Sequence, residues 1–260
     1  MGEYLNRLVN GWRASKRKSG VYLFDADYPF YDGPKGKHFV LYTSLKDYIQ
    51  SDEFGTDDTR LHIGLTPQPY FGDLHRATIF LLMMNPGLSA ADYYAERNED
   101  CRTALLKNLC QDYEGSDEYP FLFLDPNFAW HAGFDYWHSR LRGVARGLQD
   151  AKFSSSYTKC LSHLAKRVAC LQLVPYHSVS FKSDTLIRGQ DILVSTQAVR
   201  NFAEQELTAK AKRGEALVFI MRRKRDWALS ANRIYDKHIN RQAYPHDDYV
   251  EKMVKWLLSF

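Results

Sequence analysis

The feature that most constrains this chain is a set of continuous apolar runs: "ATIFLLMM" at 77–84, "VACLQLV" at 168–174 and "ALVFIM" at 216–221. Runs without polar alternation read as strands buried on both faces. Between and after them lie segments of helical period: "NEDCRTALLKNLCQDY", "FDYWHSRLRGVARGLQ", "SYTKCLSHLAKR" and "DILVSTQAVRNFAEQELTAKAKR". The last reads as one long helix stopped by Gly214. "EYPFLFLDPNF" is a further apolar run, ended by Asp-Pro. "RIYDKH" reads as a final strand, and "HDDYVEKMVKWLLSF" as an amphipathic helix with Asp247 or Asp248 near its N-cap. Strands alternating with helices imply an α/β fold with a short, mostly parallel sheet covered on both faces. Ligands of such sheets bind outside the carboxyl ends of the strands. That rule draws together Asn85-Pro86-Gly87, Pro175-Tyr176-His177, Arg222-Arg223 and His238-Ile239-Asn240.

At 260 residues, 45% hydrophobic, the chain is long enough to bury a sizeable core. The first 75 residues are rich in Tyr, Gly, Asp and Pro and read as an irregular extension packed on a domain spanning 76–260. The N-terminus is polar and broken, and no run is long enough to cross a bilayer. The expectation is a cytoplasmic monomer without a membrane partner. The net charge of +4 permits a phosphate-rich partner without demanding one. Cys101, Cys110, Cys160 and Cys170 form no C-x-x-C pair and read as reduced core thiols. "YPHDDY" matches no metal-ligand spacing and reads as helix capping, so neither metal nor cofactor is expected.

The strand at 77–84 runs into "MMNPGLS". Taken alone this is a turn, since Pro fixes φ and Gly admits positive φ. Its place at a strand's carboxyl end makes Asn85 a candidate site residue. "FLLMMNPGLSAAD" resembles the first active-site motif of the uracil-DNA glycosylase superfamily, most closely its mismatch-specific uracil/thymine branch. "NFAWHAGFDYW" resembles the following segment, in which an aromatic residue stacks on the extruded base. Phe128 is the match, and residues 94–124 form a longer insertion between the two parts. "CLQLVP" resembles a later strand whose amide side chain reads the base; Gln172 stands where Asn is usual. "KHINRQAY" falls where the second motif is expected, with His238 and Asn240 as candidates and without the usual Pro. The resemblance covers roughly residues 70–258. It implies a three-layer α/β/α sandwich and a monofunctional DNA glycosylase that leaves an abasic site.

The resemblance also distributes the chemistry. A base is flipped from the stack at a cost of about a few kcal/mol, and stacking on Phe128, with Tyr176 as a second wall, returns about 1–3 kcal/mol. Asn85 would orient a water toward the anomeric carbon, His238 would donate to the departing base, and Asn240 would orient base or sugar. Gln172 would read a base edge. Asp125 is the nearest carboxylate candidate for activating water, against an Asx-turn beside Pro126. Ser89, Arg222, Arg223 and Arg241 would meet phosphates. The partner is DNA, single-stranded or double-stranded with a flipped nucleotide. The departures from the uracil pattern favour a modified base, such as the glucosylated hydroxymethylcytosine of phage DNA removed by defence enzymes that some bacterial members resemble. Alternatives are a uracil or mismatch repair enzyme, and a non-catalytic nucleic-acid binder with the same fold. A sugar hydrolase with paired carboxylates lacks a pair, because no spacing rule links Asp92 to Asp125.

Overall fold

A computed structural model describes residues 2–260. In chain order its helices and strands begin with α1 (Glu3–Ala14), α2 (Tyr28–Tyr31), β1 (Phe39–Val40), α3 (Leu45–Ile49), β2 (Leu61–His62), β3 (Tyr70–Phe71) and β4 (Ile79–Met83). Then come α4 (Ala90–Ala95), α5 (Glu99–Cys110), α6 (Ala132–Asp150), α7 (Tyr157–Ala165), β5 (Val168–Gln172) and α8 (Val194–Asn201). The chain closes with α9 (Thr208–Arg213), β6 (Leu217–Ile220), α10 (Lys224–Trp227), β7 (Ile234–Tyr235) and α11 (Asp247–Leu257). The protein is α/β. A five-stranded sheet has the order β3-β5-β4-β6-β7, and β1 pairs with β2 separately.

The chain forms two compact units, each assembled from three stretches of sequence. One comprises the residues up to Tyr70 with Met84–Cys110 and Gln172–Glu206; the other comprises Phe71–Met83, Gln111–Leu171 and Leu207–Phe260.

In the second unit, every residue of β4 and β6 is buried, as the unbroken apolar runs predict. The two strands pair in parallel from Ile79↔Leu217 to Leu82↔Ile220, and β6 continues in parallel to β7. Helix α6 buries Trp137, Leu141, Val144, Ala145 and Leu148 on one stripe. Its Gly147 explains why a helix tolerates glycine here: a Cβ there would lie 2.6 Å from Val254 of α11, so the missing side chain lets the two helices approach. Gly214, at φ 79°, ends α9 in the left-handed conformation predicted for it.

Three elements differ from the sequence expectation. Residues 3–14 form an amphipathic helix rather than a broken segment, with Leu5, Leu8, Val9 and Trp12 buried at helical spacing. The apolar run at 119–128 makes no strand: Pro120 and Pro126 each remove a ladder donor, and the chain closes into 3₁₀ turns at Leu122–Leu124 and Pro126–Phe128. The single long helix expected over 191–213 starts at Val194 and contains a π-helical stretch, Phe202–Leu207, in which Phe202, Ala203 and Leu207 are all buried.

In the first unit a buried carboxylate organises the core. Asp27 Oδ1 accepts from the Val194 (2.7 Å) and Ser195 (3.2 Å) backbone N–H groups, capping α8 from 167 residues away in sequence. Its Oδ2 accepts from the Tyr176 hydroxyl (2.7 Å) and the Ser195 hydroxyl (2.5 Å). Burial pushes the Asp27 carboxyl above its usual range, opposed by these bonds. The Tyr176 ring packs edge-on against Trp12 and Phe39.

Candidate functional site

The strand β4 ends at Met83, and the chain emerges through buried Met84 to half-buried Asn85. The Asn85 amide is held by three acceptors: its Nδ2 donates to the Pro86 carbonyl (2.8 Å), the Tyr176 carbonyl (3.2 Å) and the Ser178 Oγ (2.9 Å). Two of these are carbonyls that can only accept, which fixes the nitrogen toward them. The Oδ1 atom is thereby turned away and accepts no hydrogen bond from the described residues. Downstream, the Ser89 N–H and hydroxyl both donate to Asp92 Oδ2, at 2.6 and 3.1 Å, starting α4 with a capping box. Ser89 therefore spends its hydroxyl inside the loop.

Gly87 is not a turn residue in the sense the sequence invites, because its φ is not positive. It is exposed, and a Cβ built on it would meet nothing within 4 Å.

Two buried histidines stand behind this loop. His177, on the segment that also supplies the Tyr176 and Ser178 partners of Asn85, has its Nδ1 2.8 Å from the Gly87 carbonyl. A carbonyl only accepts, so Nδ1 carries the proton. The His177 carbonyl in turn accepts from the His62 N–H at 2.8 Å. His62 Nδ1 lies 2.8 Å from the Tyr93 hydroxyl, and its Nε2 lies 3.6 Å from Asp58 Oδ2. Burial lowers the His62 pKa to about 4; Asp58 opposes the shift, and His177 and Arg60 add to it. Tyr42, Tyr48 and Tyr93 ring the imidazole at centroid distances of 5.7, 5.2 and 6.1 Å. The strand-end rule points to His177; His62 and Tyr93 carry no local sequence signal, since only the folded chain brings them together.

Gln172 closes β5 on the neighbouring strand end, where the Val174 N–H donates to the Met84 carbonyl at 2.8 Å. Gln172 is 3% exposed and its Oε1 has no hydrogen-bond partner. A buried amide oxygen left in this state is costly unless a ligand or water supplies a donor. The Tyr176 side chain is fully buried and committed to Asp27, so only its backbone carbonyl serves the loop.

The remaining sequence candidates lie in the second unit. Asp125 forms the Asx-turn, accepting from the Asn127 N–H at 2.9 Å. Phe128 follows in the same turn and is buried. His238 and Asn240 are exposed. The Asn240 Oδ1 accepts from the Gln242 and Tyr244 N–H groups at 2.9 and 3.0 Å, closing its own loop. The His238 ring stands edge-on to Tyr249 at 5.4 Å. Arg222 donates to the Arg241 carbonyl, so these two candidates share one turn region. Arg140 of α6 holds the same loop: its guanidinium lies 3.4 Å from the Tyr136 ring centroid and 4.4 Å from that of Tyr244, and Nη2 donates to the Gln242 carbonyl at 2.7 Å. Arg223, at φ 56°, precedes α10 and lies 3.7 Å from Asp226.

Chemically, the loop after β4 offers an oriented amide acceptor on a strand end, backed by a histidine of fixed tautomer, and Gln172 at the end of the neighbouring strand keeps a buried, unpaired amide oxygen. Such a set can position a water or a polar ligand edge. No protein-family model, curated protein or solved structure matches this chain.

Proposed function

We propose that the chain is a monofunctional DNA glycosylase that hydrolyses the N-glycosidic bond of a modified base and leaves an abasic site. The observation that carries the reading is the Asn85 amide at the carboxyl end of β4. Its nitrogen is committed to three acceptors, leaving Oδ1 as a fixed acceptor for a water. In glycosidic cleavage positive charge develops on the sugar while the base departs with the bonding electrons. A water held by Oδ1 presents its oxygen lone pair to the anomeric carbon; Asn85 aligns it and takes no proton, and the proton the water loses as the C–O bond forms goes to the departing base anion through solvent. Preorganised polar groups of this kind are worth about 3–4 kcal/mol when removed singly. The unpaired Gln172 Oε1 supports a base carrying an N–H donor on the edge it reads, such as the amino group of a cytosine or the N3–H of a uracil. Together with "MMNPGLS", these observations support the glycosylase-like α/β/α architecture, with glucosylated hydroxymethylcytosine as the leading substrate.

The test is incubation of the chain with duplex and single-stranded DNA carrying uracil, cytosine, hydroxymethylcytosine or its glucosylated form, followed by alkaline cleavage at abasic sites. Base release is expected from at least one modified substrate. The Asn85→Ala variant should lose roughly 100-fold or more of the rate while still binding DNA. An absence of abasic sites on every substrate would overturn the reading.

A further inference from the structure

Away from Asn85, helix α6 carries a row of side chains at four-residue spacing: Phe134, His138, Arg142 and Arg146. His138 packs flat on Phe134, with ring centroids 5.1 Å apart and planes 12° apart. Its Nε2 lies 2.8 Å from the hydroxyl of Tyr157, the first residue of α7. Arg142 and Arg146 are exposed, and neither guanidinium makes an ion pair or hydrogen bond among the described residues. Asp135 and Asp150, the acids of the same helix, do not neutralise them.

Both guanidinium groups nevertheless act on the His138–Tyr157 pair. Burial lowers the His138 pKa first, and Arg142 and Arg146 lower it further against Asp135. Burial raises the Tyr157 pKa, and the same two arginines oppose that rise. Two exposed cations without ion-pair partners thus follow a hydrogen-bonded hydroxyl–imidazole pair along the same helix row. The pair supplies hydrogen-bonding groups and the arginines supply charge, a combination suited to phosphate oxygens. The spacing sets the two arginine stems about 6 Å apart along the helix axis, enough to meet separate phosphates of one strand.

We infer that Arg142 and Arg146, with His138 one turn before them on the same row of α6 and its hydrogen-bonded Tyr157, form a contact for the phosphodiester backbone of DNA. The contact goes beyond the excision reading, because it needs no base release and uses none of the residues assigned to it. It contributes affinity without sequence preference, since phosphate contacts position a duplex and do not read it.

The experiment is DNA binding by the full chain, followed by fluorescence anisotropy over a series of salt concentrations. Each phosphate neutralised contributes about 0.9 to the slope of log K against log salt on duplex DNA. The Arg142→Gln/Arg146→Gln variant should therefore bind more weakly, with a slope smaller by about 2. The Arg142→Lys/Arg146→Lys variant keeps both charges and should retain the wild-type slope, which separates charge from helix packing. Inorganic phosphate at matched ionic strength should compete weakly; strong competition would mean a small-anion site and overturn the DNA assignment. An unchanged slope in the glutamine variant, or no salt-dependent DNA binding by the wild type, would also overturn it. Loss of this contact leaves the excision reading standing, and a failure to release any base leaves this contact standing.

Discussion

Asn85 is fixed by what its nitrogen has already given away. Three acceptors face Nδ2, two of them backbone carbonyls that cannot donate in return. An aspartate here would turn a carboxylate oxygen toward those carbonyls with no hydrogen to offer. Asn85→Asp is therefore expected to destabilise the chain by about 1–3 kcal/mol rather than strengthen a water-activating group; a urea titration of the two proteins checks this. The strand-end position of Asn85 is legible in the sequence, because an unbroken apolar run ending in Asn-Pro-Gly has few other readings. Its partners are not. Ser178 and the Tyr176 carbonyl stand more than 90 residues away, and nothing local in "PYHS" says which group faces the amide. The same holds for His62, whose neutral state comes from burial among Tyr42, Tyr48 and Tyr93.

At the scale of elements, unbroken apolar runs identify β4, β5 and β6, which are buried throughout, and helical period identifies α6, α7 and α11, each of which buries the face its sequence spells out. Such patterns fail where a long-range partner or a backbone constraint decides. The 119–128 run is apolar enough for a strand, yet each of its two prolines removes a ladder donor. Helix α8 has Leu193 at its N-cap, which offers no side-chain cap, and its first N–H groups are met by Asp27. Removing that carboxylate leaves two backbone N–H groups and two hydroxyls without an acceptor. Asp27→Ala should therefore cost about 3 kcal/mol or more, whereas an exposed acid such as Asp52 should cost almost nothing. Thermal unfolding of both variants beside the wild type gives the comparison.

For the molecule as a whole, what the sequence hides is the interleaving. Each unit draws on three separated stretches, and no change of composition marks where the chain passes from one to the other. Stability at this scale carries a pH signature from His62. Its folded pKa, about 4, lies below its ordinary value of 6.5, so as pH falls the unfolded chain takes up the proton first. The stabilisation is complete above about pH 6.5 and is lost progressively toward pH 4, which makes the fold about 2 kcal/mol less stable at pH 5 than at pH 7 from this group. Urea midpoints at the two pH values should show the drop, and His62→Gln should reduce it.

Gly87 leaves a different kind of mark. Its backbone angles would suit any residue, and no neighbour would collide with a side chain there. Neither a positive φ nor packing within the chain calls for glycine here. With only hydrogen on its α-carbon, the loop exposes main chain to the outside, and another molecule can draw up to within van der Waals distance of the peptide itself. A methyl group would hold that visitor off by the width of one carbon, a tolerance that shape selection, rather than stability, would enforce.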